Sequence, residues 1–113
     1  MRNTSTILLA AALCVLALVG NARADCCRRT KNVSFTVESG RCKDVGGVNS
    51  SISTCTITIC ADGTRLIGSY CGHYSCNLFG CNCGGGCLKG KWEKNFIERH
   101  PKYKIRILSS KWN

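Results

Sequence analysis

Between Cys76 and Cys87 the chain reads Cys-Asn-Leu-Phe-Gly-Cys-Asn-Cys-Gly-Gly-Gly-Cys, four cysteines and four glycines in twelve residues. No regular helix or strand accommodates such a run. Gly80 can take positive φ after a short turn, and Gly84, Gly85 and Gly86 let the backbone double back between Cys83 and Cys87. A backbone this free acquires one shape only if covalent links or a metal ion hold it. The spacing Cys81-x-Cys83-x-x-x-Cys87 is open to either reading, and the compartment decides between them.

Met1 and Arg2 precede an apolar run of thirteen residues, Ile7 to Val19, which is followed by Ala22-Arg23-Ala24. This is the pattern of a secretory leader with a small-x-small cleavage site. Cleavage is expected before Asp25, making residues 1–24 a signal peptide and 25–113 a single secreted domain. The run is shorter than the roughly 18–20 residues of a membrane span, and no later stretch is apolar enough to be one, so no transmembrane segment is expected. Cys14 leaves with the leader. Of the eleven cysteines ten remain: Cys26, Cys27, Cys42, Cys55, Cys60, Cys71, Cys76, Cys81, Cys83 and Cys87. An even number in an oxidising compartment predicts five disulfides rather than a metal site, and no cofactor. Secretion also removes nucleic acid as the usual ligand of a basic chain.

Removing 24 residues from 113 leaves 89, carrying fourteen basic and six acidic side chains, a net charge of +8. So small a chain builds a modest core, which the bridges supplement. The charge favours anionic partners, among them anionic polysaccharides, microbial surfaces and acidic receptor faces.

Adjacent cysteines rarely bond to each other, because the ring so formed strains the peptide between them. Cys26 and Cys27 are therefore expected to reach two different parts of the fold. Some secreted phospholipases carry a Cys-Cys pair with a His-Asp pair close behind it, but Arg28-Arg29-Thr30-Lys31 follows here. Val33, Phe35 and Val37 then alternate as a half-buried strand. The clearest strand is Thr54 to Cys60, with Cys55, Ile57 and Ile59 on one face, so Cys55 and Cys60 must find different partners. Ala61-Asp62-Gly63-Thr64 reads as a hairpin turn with an antiparallel return over Arg65 to Cys71. Trp92 and Phe96 stand four apart in an amphipathic helix that should stop at His100, because Pro101 disfavours helical geometry in the residue before it. Tyr103 to Leu108 alternates as a last strand, with Tyr103, Ile105 and Ile107 inward. The fold class is thus α+β: a small disulfide-rich domain in which an antiparallel sheet is packed by one short helix, with a Cys/Gly-rich loop region beside it. Ten cysteines allow roughly 945 pairings, and spacing alone does not choose among them.

These residues carry a resemblance. The adjacent Cys26-Cys27 pair, Thr58-Ile59-Cys60-Ala61-Asp62-Gly63, the Cys76-to-Cys83 signature with Cys87, and the Trp92 and Phe96 helix before a final strand resemble the Diedel family of small secreted insect proteins, which has relatives in insect DNA viruses. The resemblance spans nearly the whole mature chain. It implies an α+β fold with five disulfides, and a circulating, cytokine-like role that dampens the immune-deficiency branch of insect innate immunity. The chain departs from the family pattern in the Lys43-to-Ser53 loop and in its basic balance.

The candidate anion-binding residues are Arg28, Arg29 and Lys31 near the mature start and Lys102, Lys104 and Arg106 near the end, with Lys89 and Lys91 a further basic pair. Lys104 and Arg106 would line the exposed face of the last strand. Asn49, in the polar Gly46-to-Ser53 loop, and Asn32, just ahead of a strand, head glycosylation sequons, the loop site being favoured. His73 reads as an exposed loop residue and His100 as a helix C-terminal residue stabilised by the dipole when protonated. Asp62 serves its turn, and no acidic pair suggests acid–base chemistry, so no enzyme is expected. Three function classes stay open: a monomeric modulator that binds an extracellular protein or receptor, a cationic antimicrobial effector, and a protease inhibitor presenting Lys43 between Cys42 and Cys55.

Overall fold

The computed structural model describes residues 26–113; the leader expected over residues 1–24 lies outside the described residues. Four strands, β1 (Lys31–Val37), β2 (Val48–Asn49), β3 (Cys55–Ile59) and β4 (Ile105–Trp112), form one antiparallel sheet in the order β2-β3-β1-β4. Among the described residues one α-helix, α1 (Trp92–Arg99), covers one face. The period-two pattern explains the layering. Val33 and Phe35 of β1 and Cys55, Ile57 and Ile59 of β3 point inward and are buried, with Ile105 of β4, Phe96 of α1, and Cys42 and Val45 of a 3-10 turn. Phe96 stands edge-on to Phe35, with ring centroids 5.3 Å apart, and anchors the helix to the central strand. The opposite face carries Asn32, Ser34, Thr36, Thr56 and Thr58, as an antiparallel sheet with one solvated face requires.

The turn after β3 forms as read from the sequence, and it also seats the helix. Gly63 has φ +85°, and a Cβ there would lie 2.6 Å from the Trp92 carbonyl oxygen, so the turn and the first turn of α1 touch backbone to backbone. Asp62 Oδ1 accepts from the Thr64 amide and hydroxyl, at 3.0 and 2.6 Å, and the Asn95 side-chain amide donates to the Asp62 carbonyl at 3.0 Å. The return over Arg65 to Cys71 is not a strand: it makes one bridge, Arg65 to Ile59, and one further bond from the Leu66 amide to the Thr58 carbonyl. The reason is that β2 already occupies the same edge of β3 opposite Cys55 and Thr56, leaving the return only the end of the strand.

The last strand also differs from its sequence reading. Pro101–Tyr103 forms a 3-10 turn and Lys104 takes φ +50°, so Tyr103 and Lys104 precede the strand rather than belong to it. The Glu38 and Ser39 amides both donate to the Tyr103 carbonyl, which explains why this turn is held against the end of β1. The strand then continues to Trp112, well past Leu108. Phe35 pairs with Ile107 and Ser34 with Ser109, so Leu108 is the extra residue of a β-bulge and is half exposed. The bulge resets the alternation and brings Trp112 opposite Lys31.

Helix α1 ends where Pro101 demands, with His100 at φ −129°. His100 does not sit free in solvent. Its ring lies edge-on to Phe96 at 5.7 Å and near Tyr103 at 6.4 Å. Burial, and secondarily the Arg99 charge beside it, lower its pKa from the ordinary 6.5, so the imidazole is neutral near pH 7 and burial outweighs the favour that the helix C-terminus gives a protonated ring. A histidine whose folded pKa is depressed contributes stability above its unfolded value and loses it as pH falls through the folded one. Chemical denaturation from pH 7 down to pH 5 is therefore expected to show a fall in unfolding free energy that is smaller in His100→Gln. Identical pH profiles would contradict this packing.

Candidate interaction surface

The cysteine-rich segment is organised by the N-terminal pair. Cys26 bonds Cys81 and Cys27 bonds Cys87, while Cys60–Cys71 ties the segment to the end of β3 and Cys76–Cys83 closes it internally; Cys42–Cys55 staples the sheet side. Cys26 and Cys27 thus find different partners, as expected, but both partners lie in the one cluster. The backbone threads through the middle of that cluster. The Cys27 amide donates to the Gly80 carbonyl at 2.7 Å, the Cys71 amide donates to the Cys27 carbonyl at 2.8 Å, and the Leu88 amide donates to the Cys71 carbonyl at 2.8 Å. Four strand-like pieces lie side by side without forming a regular sheet. The sulfurs of Cys27, Cys76 and Cys83 come within 4.8 Å of one another, yet each is in a disulfide and has no thiolate to offer a metal.

This bracing presents a short turn, Asn77 to Cys81. Asn77 Oδ1 accepts from the Phe79 and Cys81 amides at 3.0 and 2.9 Å, and the Asn77 amide donates to the Cys81 carbonyl at 2.8 Å. The Tyr70 hydroxyl donates to the Leu78 carbonyl at 2.8 Å. Gly80 has φ +78°, and a Cβ there would strike the Tyr70 ring at 2.5 Å, so glycine alone lets the turn lie on that ring. The side chains left over point outward: Leu78 is 85% exposed and Phe79 68% exposed. Ile67 and Tyr74, in the same loop region, are likewise exposed. Two large apolar side chains thus stand exposed on a backbone held by hydrogen bonds and a disulfide, an arrangement in which a contact would not have to order the loop again.

Among the residues proposed for anion binding, Lys31 is buried, at 7% exposure. Its ammonium lies 4.6 Å from the Trp92 ring centroid and 4.4 Å from that of Trp112, and the Arg29 guanidinium lies 4.7 Å from Trp112. Arg28 lies beside the Gly80 turn. Lys102 packs over the Tyr103 ring, and Lys104 pairs loosely with Glu38 at 3.9 Å across exposed side chains. Arg106, opposite Thr36, is exposed on the sheet. The first and last groups sit at opposite ends of the seven-residue β1, roughly 20 Å apart at about 3.3 Å per residue, so they do not form one strip. Asn49 lies exposed on the edge strand β2, its side-chain amide donating to the Ser51 carbonyl at 3.2 Å. Asn32 is within the central strand rather than ahead of it. Its amide donates to Asn113 Oδ1 at 3.2 Å, and its oxygen accepts from the Thr58 hydroxyl at 2.9 Å. His73 is exposed, as expected.

The family profile described as Diedel matches residues 26–101, from the cysteine pair through the helix to Pro101. The chain belongs to the Diedel family. It is 45% identical over 108 residues to Protein Diedel of Drosophila melanogaster, covering 96% of this chain and 94% of that one. A crystal structure of the CG11501 protein superposes with a TM-score of 0.73 at 41% identity, covering 78% of this chain and 95% of that one. The Diedel match includes the whole braced turn. The exposure of Leu78 and Phe79 had a readable signal: a four-residue turn between an Asx residue and a glycine has no room to bury both. The two-tryptophan enclosure of Lys31 had none, since it joins positions 31, 92 and 112 across three elements.

Asn77→Ala removes the acceptor of two amides while leaving all five bridges in place. At about 1 kcal/mol per hydrogen bond, hydrogen exchange of the Phe79 and Cys81 amides is expected to accelerate about fivefold or more, with β1 unaffected. Unchanged exchange at both amides would show that the disulfides alone hold the turn.

Proposed function

We propose that this Diedel-family protein is a secreted, cytokine-like modulator of insect innate immunity that dampens the immune-deficiency pathway by binding an extracellular protein, acting by recognition rather than catalysis. The observation that carries the reading is the Leu78-Phe79 turn, an exposed apolar pair on a braced backbone. Interfaces draw most of their affinity from a few large side chains on rigid supports. The leader pattern over residues 1–24 and the disulfide density support secretion, and among the described residues no helix is long and apolar enough to cross a membrane. On this reading the domain circulates as a monomer, and Asn49, exposed at the sheet edge, carries the glycan if either sequon does.

The two alternatives draw less support. A directly antimicrobial surface needs its cations aligned, whereas Lys31 is enclosed and the remaining basic groups are dispersed. A protease-inhibiting loop presents its anchor on extended backbone, whereas Lys43 lies in the 3-10 turn Cys42–Val45.

The test is a reporter assay in insect cells challenged with peptidoglycan, using oxidised mature protein and a Leu78→Ser/Phe79→Ser variant. The wild type is expected to suppress the reporter, and the variant to lose about thirtyfold or more in potency, the effect of one hot-spot residue, with unchanged thermal stability. Equal potency of the variant would overturn the assignment of the turn. No suppression by the wild type would overturn the pathway.

A further inference from the structure

Two bridges of the cysteine-rich segment lie side by side. With the sulfurs of Cys27, Cys76 and Cys83 all within 4.8 Å of one another, the Cys76–Cys83 bridge stands next to the Cys27 end of the Cys27–Cys87 bridge. Cys27 is buried, whereas Cys76 and Cys83 are half-buried and open to a small solute. Gly72 makes room for this arrangement. Its φ is not positive, and a Cβ there would lie 2.8 Å from both Cys76 Sγ and Cys83 Cβ, so the glycine serves close approach rather than an unusual backbone. Cys83 and Cys87 are separated by Gly84-Gly85-Gly86, and a Cβ on Gly86 would meet no atom within 4 Å. Trading Cys87 for Cys83 as the partner of Cys27 therefore rearranges a glycine loop and displaces no core side chain. The Cys26–Cys81 bridge also reaches solvent, through Cys26, but among the described residues no such group of sulfurs includes it.

We propose that Cys27, Cys76 and Cys83 form a thiol–disulfide exchange site whose substrate is an extracellular thiol. The external thiolate attacks Cys76 Sγ. A mixed disulfide forms there, the Cys76–Cys83 bond breaks, and its electron pair leaves on Cys83. The Cys83 thiolate attacks Cys27 Sγ, which forms Cys27–Cys83 and releases Cys87 as a thiolate. Cys87 then attacks the mixed disulfide at Cys76, forming Cys76–Cys87 and returning the external thiol. Each bond formed replaces one broken and nothing is oxidised or reduced overall, so a trace of thiol suffices in an oxidising compartment. The Cys76–Cys83 bridge closes the base of the Asn77-to-Cys81 turn, and moving its far end to Cys87 enlarges that ring. Exchange thus loosens the support beneath Leu78 and Phe79. That this regulates binding rests on the turn being the contact proposed above; the exchange itself does not.

Cys76→Ser leaves Cys83 as a standing thiol and bypasses the first step. Alkylation and peptide mapping of this variant are expected to find Cys27 joined to Cys83 in about one tenth or more of the molecules, with Cys87 alkylated in the same fraction. In the control Cys42→Ser, Cys55 is expected to be the alkylated cysteine, with the other bridges unchanged. Wild-type protein incubated with substoichiometric glutathione and quenched in acid is expected to yield the Cys27–Cys83, Cys76–Cys87 isomer while Cys26–Cys81, Cys42–Cys55 and Cys60–Cys71 persist. In that isomer the Phe79 and Cys81 amides are expected to exchange hydrogen about fivefold faster or more. None of these readouts depends on suppression of the reporter. Cys27 joined wholly to Cys87 in Cys76→Ser, or scrambling of Cys42–Cys55 and Cys60–Cys71 by glutathione as fast as the paired bridges, would overturn the exchange site. Unchanged amide exchange in the isomer would overturn the loosening of the turn.

Discussion

The structure depends on the adjacent cysteines Cys26 and Cys27. A sheet with one short helix and a core built around Phe35 and Phe96 can fold around its own apolar residues, but the glycine-rich segment after it has no such means. Bonds to Cys81 and Cys87 lay the chain start across that segment and make it the central support. In the chain-entropy account, a bridge between residues 60 apart stabilises the fold by about 4 kcal/mol. Once it exists, its neighbour closes only a short ring and adds about 2–3 kcal/mol. The second bridge therefore matters less for global stability than for fixing the direction of the chain, which is what the Asn77-to-Cys81 turn requires.

A second constraint joins the ends of the sheet side. Lys31, beginning β1, is enclosed by Trp92 at the start of the helix and Trp112 at the end of β4. A desolvated cation over an indole face is worth up to about 2 kcal/mol, and here one ammonium meets two such rings. Arg29 joins the same group. Part of the strongly basic composition is thus structural, holding three elements together, so net charge alone does not locate a binding surface.

Much of the fold was legible before any coordinates. Alternation over Val33 to Val37 and over Thr54 to Cys60 marks two strands with their correct inward faces, the second forming over Cys55–Ile59, and Pro101 marks the end of the helix. The failures share a cause: each depended on competition that a local pattern cannot see. The Asp62-Gly63 turn promised an antiparallel return over Arg65 to Cys71, but β2 had already taken the edge. Tyr103 alternates with Ile105 and Ile107, but the turn that must precede β4 claims it. Ser109, Ser110 and Lys111 look like a tail until the bulge at Leu108 restores their pairing with β1. For the surface, the sequence reading fell on the basic residues, whereas the exposed pair Leu78 and Phe79 lies in the cysteine-rich segment, where a braced turn encloses too little space to bury both.

The most direct test of this account is a disulfide map of the unreduced mature protein, by mass spectrometry with fragmentation that separates Cys26 from Cys27. The account predicts Cys26 joined to Cys81, Cys27 to Cys87 and Cys76 to Cys83. A map joining either N-terminal cysteine to Cys42 or Cys55, or exchanging the partners of Cys26 and Cys27, would contradict it.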